Sequence, residues 1–324
     1  MAGRAASVLG SVLAGQMPIA SLITTQLRSL ASLGLSQRQI HISALVSNAD
    51  SSAPPNGSPS SSQPSSTSSS TATSATDFRS LIPRIVVFGG SGFVGTKVCE
   101  HASRMGADVI SVSRSGRPKW LKESTWADNI HWEKGDAFES ESFKDLLQGA
   151  TGVISTLGTF GSNDLMYKVC GIANMQLMDA AAVAGVGRFS FISVHDYVFP
   201  GGWNAKEYLL KGYFQGKRDA EAHLSRVFPE TGVALRPGFI YGNRHAGGGG
   251  GTTIPLGLIG APLAAALKLV PTRSLAGIPI IGAAFVPPTS VDTVGKAAAH
   301  AVLDDDVPAG VMDVWEMAKF GGNR

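Results

Sequence analysis

The stretch Ile85-Val86-Val87-Phe88-Gly89-Gly90-Ser91-Gly92-Phe93-Val94-Gly95 constrains this chain more than any other. Its four apolar residues read as a strand buried on both faces, and a helix-competent run from Thr96 to Met105 follows the glycines. A strand, a glycine turn and a helix start in that order form a cradle for phosphate. Gly89 permits the tight turn, Gly92 lets an anion approach the backbone, and Gly95 lets the helix pack closely on the strand. Amides of the helix's first turn, among them those of Phe93 and Val94, then face the anion.

Charge does not suggest a nucleic-acid partner. Of 27 Lys/Arg and 24 Asp/Glu, residues 1–76 hold three arginines and one aspartate, so the remainder is within one charge of neutral. No Lys/Arg run stands out, which argues against nucleic-acid binding. Cys99 and Cys170 lack metal-site spacing and fall in helix-like patterns, so they read as buried thiols; no metal site is expected.

The first 49 residues contain no Asp or Glu and are rich in Ser, Ala and Leu with scattered Arg. Leu22, Ile23, Leu27 and Leu30 can share one helical face with Arg28 to its side, as an amphipathic organelle-import peptide requires. Residues 1–46 are therefore read as a mitochondrial targeting peptide, with plastid import as the alternative. Gln16 and Pro18 interrupt the apolar core that a secretory signal needs. Residues 47–76 are mostly Ser, Thr and Pro, have almost nothing to bury, and read as a flexible linker.

Beyond Asp77 strands alternate with helices. Ala107–Ser113 reads as the second strand, running into Arg114-Ser115-Gly116-Arg117. A site selective for NAD places Asp or Glu here to hold the ribose 2′-hydroxyl, and none is present. Arg114 can instead pair a 2′-phosphate, with Ser113, Ser115 and Arg117 nearby, which predicts NADP(H) over NAD(H); otherwise it is an ordinary solvated loop cation. Asn129–Trp132 is the third strand. Asp136, just past it, either accepts a hydrogen bond from an adenine amino group or is an exposed loop carboxylate. Thr151–Gly158 and Arg188–Ser193 complete five strands, with a helix from Leu165 to Ala184 between them. The expected fold is α/β, a doubly wound parallel Rossmann sheet over residues 77–242, with residues 243–324 as a small C-terminal substrate-side region completing it.

Ser193 and His195 stand at the ligand edge of that sheet. Tyr213 and Lys217, four apart on the next helix, share a face, so the ammonium is expected to lower a phenol pKa that starts at about 10. Tyr213 then serves as acid or base, Lys217 as its partner and a ribose ligand, and Ser193 orients a carbonyl while a nicotinamide delivers hydride.

The segments Gly89–Gly95, Tyr213-Phe214-Gln215-Gly216-Lys217 with Glu221, and Leu235-Arg236-Pro237-Gly238-Phe239-Ile240-Tyr241-Gly242 form an ordered set. Together with Val286–Val294 they resemble the extended and atypical short-chain dehydrogenase/reductases over residues 82 to 300. Within that superfamily the chain looks most like the coenzyme Q biosynthesis dehydrogenase-like proteins and the Rossmann-fold accessory subunit of respiratory complex I. The resemblance implies dinucleotide binding and association with quinone-related membrane complexes more firmly than turnover. It puts Val194 and His195 where extended members carry a catalytic hydroxyl, so His195 either takes the substrate-polarising position or is a satisfied loop histidine. It also puts Lys168 where many members carry Asn, which suggests altered or absent catalysis.

In the C-terminal region, the glycine run after His245 reads as a lid hinge or plain linker. Ile254–Val270 is apolar except for Lys268, but at 17 residues with two prolines it is a poor membrane span. It reads as a substrate-side helix or as a lipid-facing surface. Thr293–Leu303 closes the fold, and Asp304-Asp305-Asp306 reads as a solvated turn.

Overall fold

The computed structural model describes residues 82–197, 210–245, 253–255, 257–268, 270–276, 278 and 282–322. All belong to the compact unit Thr76–Arg324. The targeting segment, the Ser/Thr/Pro linker and the glycine run after His245 lie outside the described residues.

Strand β1 (Arg84–Phe88) carries apolar side chains on both faces. Ile85 and Val87 enter one core and Val86 and Phe88 the other, as the two-residue period of a strand requires. Helix α1 (Phe93–Arg104) follows the glycine turn, then β2 (Asp108–Ser113), β3 (Ile130–Lys134) and β4 (Gly152–Ser155). Next come α2 (Asn163–Tyr167), a π-helical turn (Lys168–Ile172), α3 (Ala173–Val183) and β5 (Arg188–Ile192). Then α4 (Lys211–Val227) and β6 (Gly232–Leu235) lead to the short pieces β7 (Ile240–Tyr241), β8 (Asn243–His245) and β9 (Thr253–Pro255). The chain closes with α5 (Gly257–Leu267), α6 (Thr272–Ala276), β10 (Thr289–Ser290), α7 (Val291–Leu303), β11 (Gly310–Met312) and α8 (Val314–Met317).

The main sheet has seven parallel strands in the order β11-β6-β5-β4-β1-β2-β3. Two of them, β6 and β11, extend the five expected. Their partners lie remote in sequence, and β11, three residues long, gains its partner only because α7 returns the chain to the sheet. Strand order reverses between β1 and β4, which opens the ligand crevice at their carboxyl ends.

The expected helix from Leu165 to Ala184 is interrupted by the π turn. Buried Asn174 holds that turn: its amide donates to the Val169 and Cys170 carbonyls at 2.9 and 3.0 Å, and its oxygen accepts from Ser155 at 2.5 Å. There α4 crosses closely, since a Cβ on Gly171 would lie 2.9 Å from the Gly216 Cα. Both cysteines are free and buried, and burial pushes the Cys99 thiol up to about 12.

Candidate dinucleotide and proton-transfer site

Gly89 has φ +79°, a left-handed conformation that favours glycine, and its amide donates to the Val112 carbonyl at 2.8 Å. The turn closes by Gly92 N–H donating to Gly89 O at 2.8 Å, and Gly92 is the N-cap of α1. No side chain caps that end, so the first-turn amides of Phe93, Val94 and Gly95 are left without a side-chain acceptor. Thr156 latches the two sides of the switch point by donating to Phe88 O at 2.8 Å. These features suit a pyrophosphate.

Arg114 is exposed just past β2 and, among the described residues, has no ion pair or hydrogen bond. Its neighbour Arg117 is engaged, donating to Asp128 at 2.6 Å and to Leu121 O at 3.2 Å. Ser91 of the glycine turn meets Ser115 at 3.1 Å, so the loop carrying Arg114 is tied to the cradle. Asp136 is half-buried beyond β3, where its carboxylate accepts from the Phe138 amide at 3.0 Å.

Lys217 is 3% exposed. Its Nζ donates to Leu157 O at 2.9 Å and Ile192 O at 2.6 Å and lies 4.6 Å from the Phe191 ring centroid. The ammonium therefore sits at the ends of β4 and β5 with one of its three donors left over. Burial brings its pKa down to about 8.

Tyr213 is half-buried, and its ring stacks on Phe160 with centroids 5.0 Å apart. The expected lowering of its phenol is not what this geometry produces. Burial is the largest influence and raises it, Cys170 and Tyr197 add to the rise, and the opposing cation is Arg218. A phenol so placed is a proton donor at neutral pH.

Ser193 is buried and its hydroxyl donates a hydrogen bond to Glu221, which also accepts from Arg236 at 2.5 Å and Arg218 at 2.5 Å. Its hydroxyl is thus committed within the protein. His195 packs edge-on against Tyr197 and Trp315, with centroids 5.2 and 5.6 Å away. Its Nδ1 is buried without a hydrogen-bond partner among the described residues, and burial lowers its pKa, which favours the neutral imidazole. Lys168 is exposed, and the polar side chain that meets the sheet from this helix is Asn174.

Sequence reasoning assigned no role to Phe160, Tyr197 or Asn174, the last of which served only to align the helix after β4. For Phe160 a signal existed, an aromatic between Gly158 and Gly161 in the loop beyond β4. For Asn174 none did, because a π turn is decided by the helix that packs on it.

Residues 89–252 match a family model described as NAD(P)H-binding. The chain is 43% identical over 228 residues to "Uncharacterized protein At1g32220, chloroplastic" of Arabidopsis thaliana, covering 69% of this chain and 72% of that one. It is 27% identical over 174 residues to the mouse protein "NADH dehydrogenase [ubiquinone] 1 alpha subcomplex subunit 9, mitochondrial", covering 51% of this chain and 43% of that one. Among solved structures it is similar to the Bordetella bronchiseptica enzyme WbmH in complex with NAD+, at 17% identity and TM-score 0.49, covering 72% of this chain and 75% of that one. With its glycine cradle at the β1–β4 switch point of a Rossmann-like sheet, the chain belongs to the NAD(P)H-binding family whose model it matches.

Proposed function

We propose that this protein is an organellar oxidoreductase that prefers NADP(H) and reduces a quinone or another hydrophobic carbonyl compound. The observation that carries the cofactor preference is Arg114, an unpaired exposed cation past β2, where the chain offers no carboxylate for a 2′-hydroxyl. Gly89, Gly92, Phe93, Val94 and Gly95 would hold the pyrophosphate, Asp136 the adenine and Lys217 the nicotinamide ribose. The bound dinucleotide supplies hydride. Tyr213 donates the proton that the reduced carbonyl oxygen needs, and its buried phenol is protonated for that task. Lys217 holds the ends of β4 and β5 around the reacting groups. Ser193 acts through Glu221 by fixing the strand end, and His195 shapes the wall toward Trp315.

The import-like segment at residues 1–46 supports an organelle, and the mitochondrion is the compartment proposed, peripheral to the inner membrane. The chloroplastic relative keeps the plastid as the alternative. A link to coenzyme Q chemistry rests on the resemblance described above.

A second reading is a nucleotide-binding scaffold of a respiratory or coenzyme Q assembly. It draws on the committed Ser193 hydroxyl and on a relative named as a subunit of NADH dehydrogenase. Calorimetry with NADPH and NADH, followed by a quinone and carbonyl screen, tests both. Tighter NADPH binding with turnover supports the reductase, tighter binding without turnover supports the scaffold, and equal or weaker NADPH binding removes the cofactor assignment.

A further inference from the structure

From Thr231 to Val291 the chain contains no aspartate or glutamate, although 24 of its 324 residues are acidic. The same stretch carries Arg236, Arg244, Lys268 and Arg273. Arg236 is taken up by Glu221, and Arg273 reaches Asp313 at 3.1 Å. Arg244 and Lys268 are exposed and have no acidic partner among the described residues. They bracket helix α5: Arg244 pairs with Ile254 in the β8–β9 ladder that leads into the helix, and Lys268 follows its last residue.

Helix α5 consists only of Gly, Leu, Ile, Ala and Pro. A globular surface helix normally turns a polar face to water, and this one has none to turn. Gly260 and Ala264, one turn apart, are buried, and Gly260 lies against the Tyr241 ring. Ala261, Leu263, Ala265 and Ala266 are exposed, Leu263 by 37%, and the chain just beyond exposes Val270 by 36% and Ile278 by 39%. At 11 residues the helix is about 16 Å long, and no helix among the described residues is long and apolar enough to cross a membrane.

We propose that α5 and the turn after it lie flat on an anionic bilayer surface. Leu263, Val270 and Ile278 enter the acyl boundary, while Arg244 and Lys268 meet lipid phosphates. Charge complementarity selects this occupant. In a two-fold pairing of copies the same patch faces itself, which sets the cations Arg244 and Lys268 of one copy in the same interface as those of the other, with no carboxylate from residues 231–291 between them. The exposed residues of α5 also offer no hydrogen-bonding side chain with which to specify a protein partner. An apolar helix rimmed by cations satisfies a lipid interface without one. This inference is independent of the cofactor assignment.

The test is flotation of the full chain with vesicles of phosphatidylcholine alone or mixed with phosphatidylglycerol, with hydrogen exchange followed across residues 257–276. The expected result is flotation that needs the anionic lipid, falls with salt, and slows exchange in that segment. Lys268→Ala should weaken partitioning about fivefold, the effect of one cation near an anionic surface. Leu263→Glu should abolish protection of the segment while leaving the urea unfolding midpoint unchanged, which shows the variant to be folded. Flotation without protection of residues 257–276, equal flotation on neutral vesicles, or protection that arises only on self-association would overturn the proposal.

Discussion

The ammonium of Lys217 is hydrogen-bonded at 2.6 Å to the main-chain oxygen of Ile192, the last residue of β5. A cation is thereby held inside the sheet edge by carbonyl dipoles and the face of the Phe191 ring, and burial brings its pKa to about 8, well below the ordinary 10.5. Between those values the unfolded chain binds the proton and the folded chain has released it, so stability rises with pH across that window. Urea unfolding from pH 8 to pH 10 should show this upward slope, and Lys217→Met should flatten it. A slope unchanged by the substitution would show that Lys217 does not titrate there.

Tyr213→Phe keeps the ring stacked on Phe160 and removes only the hydroxyl. Hydride transfer should fall by about 10²–10⁴-fold, the usual contribution of a positioned acid, with NADPH affinity retained. Stopped-flow oxidation of NADPH separates the two effects. Undiminished turnover would move the proton donor elsewhere.

Arg114→Ala should weaken NADPH binding by roughly 10- to 100-fold, as expected for a lost charge-assisted hydrogen bond, and leave NADH binding unchanged. Titration calorimetry with both nucleotides reads this directly. Equal losses for the two would assign Arg114 to the pyrophosphate or to the fold.

Glu221 is buried between Ser193, Arg218 and Arg236. Burial by itself would raise its pKa, but the hydrogen bonds from Arg236 and Ser193 outweigh this and leave it below the ordinary 4.5. Its stabilising contribution is therefore complete above the unfolded value and is lost as pH falls through the lower folded one. Glu221→Ala should cost about 3–5 kcal/mol at neutral pH by leaving two guanidiniums without their carboxylate. Chemical denaturation of this variant should also lose the acid-side decline of the parent protein.

Gly216 and Gly171 let α4 approach the π turn closely, and a Cβ on either would fall 2.9 Å from backbone of the other segment. Gly216→Ala should destabilise by about 1–3 kcal/mol and also lower turnover, because Tyr213 and Lys217 ride on the displaced helix. Unfolding curves and kcat measured together distinguish this from a purely structural cost.

The glycine spacing, the buried strand before it and the alternation of strands with helices after it were enough to predict the Rossmann sheet and the cradle, and the four-residue spacing put Tyr213 and Lys217 on one face of a helix. Those signals are local: φ freedom at Gly89, a two-residue period in β1 and a four-residue spacing on α4 require no knowledge of distant chain. Other features were settled by tertiary structure. Strands β6 and β11 exist through partners remote in sequence, and the π turn exists through the close crossing at Gly216 and the side chain of Asn174. The protonation of Tyr213 also reversed direction, because a four-residue spacing places Lys217 on the same helical face but does not direct its ammonium. Two carbonyls at the ends of β4 and β5 took that charge, and burial then governed the phenol, since desolvation depends on everything packed around a group.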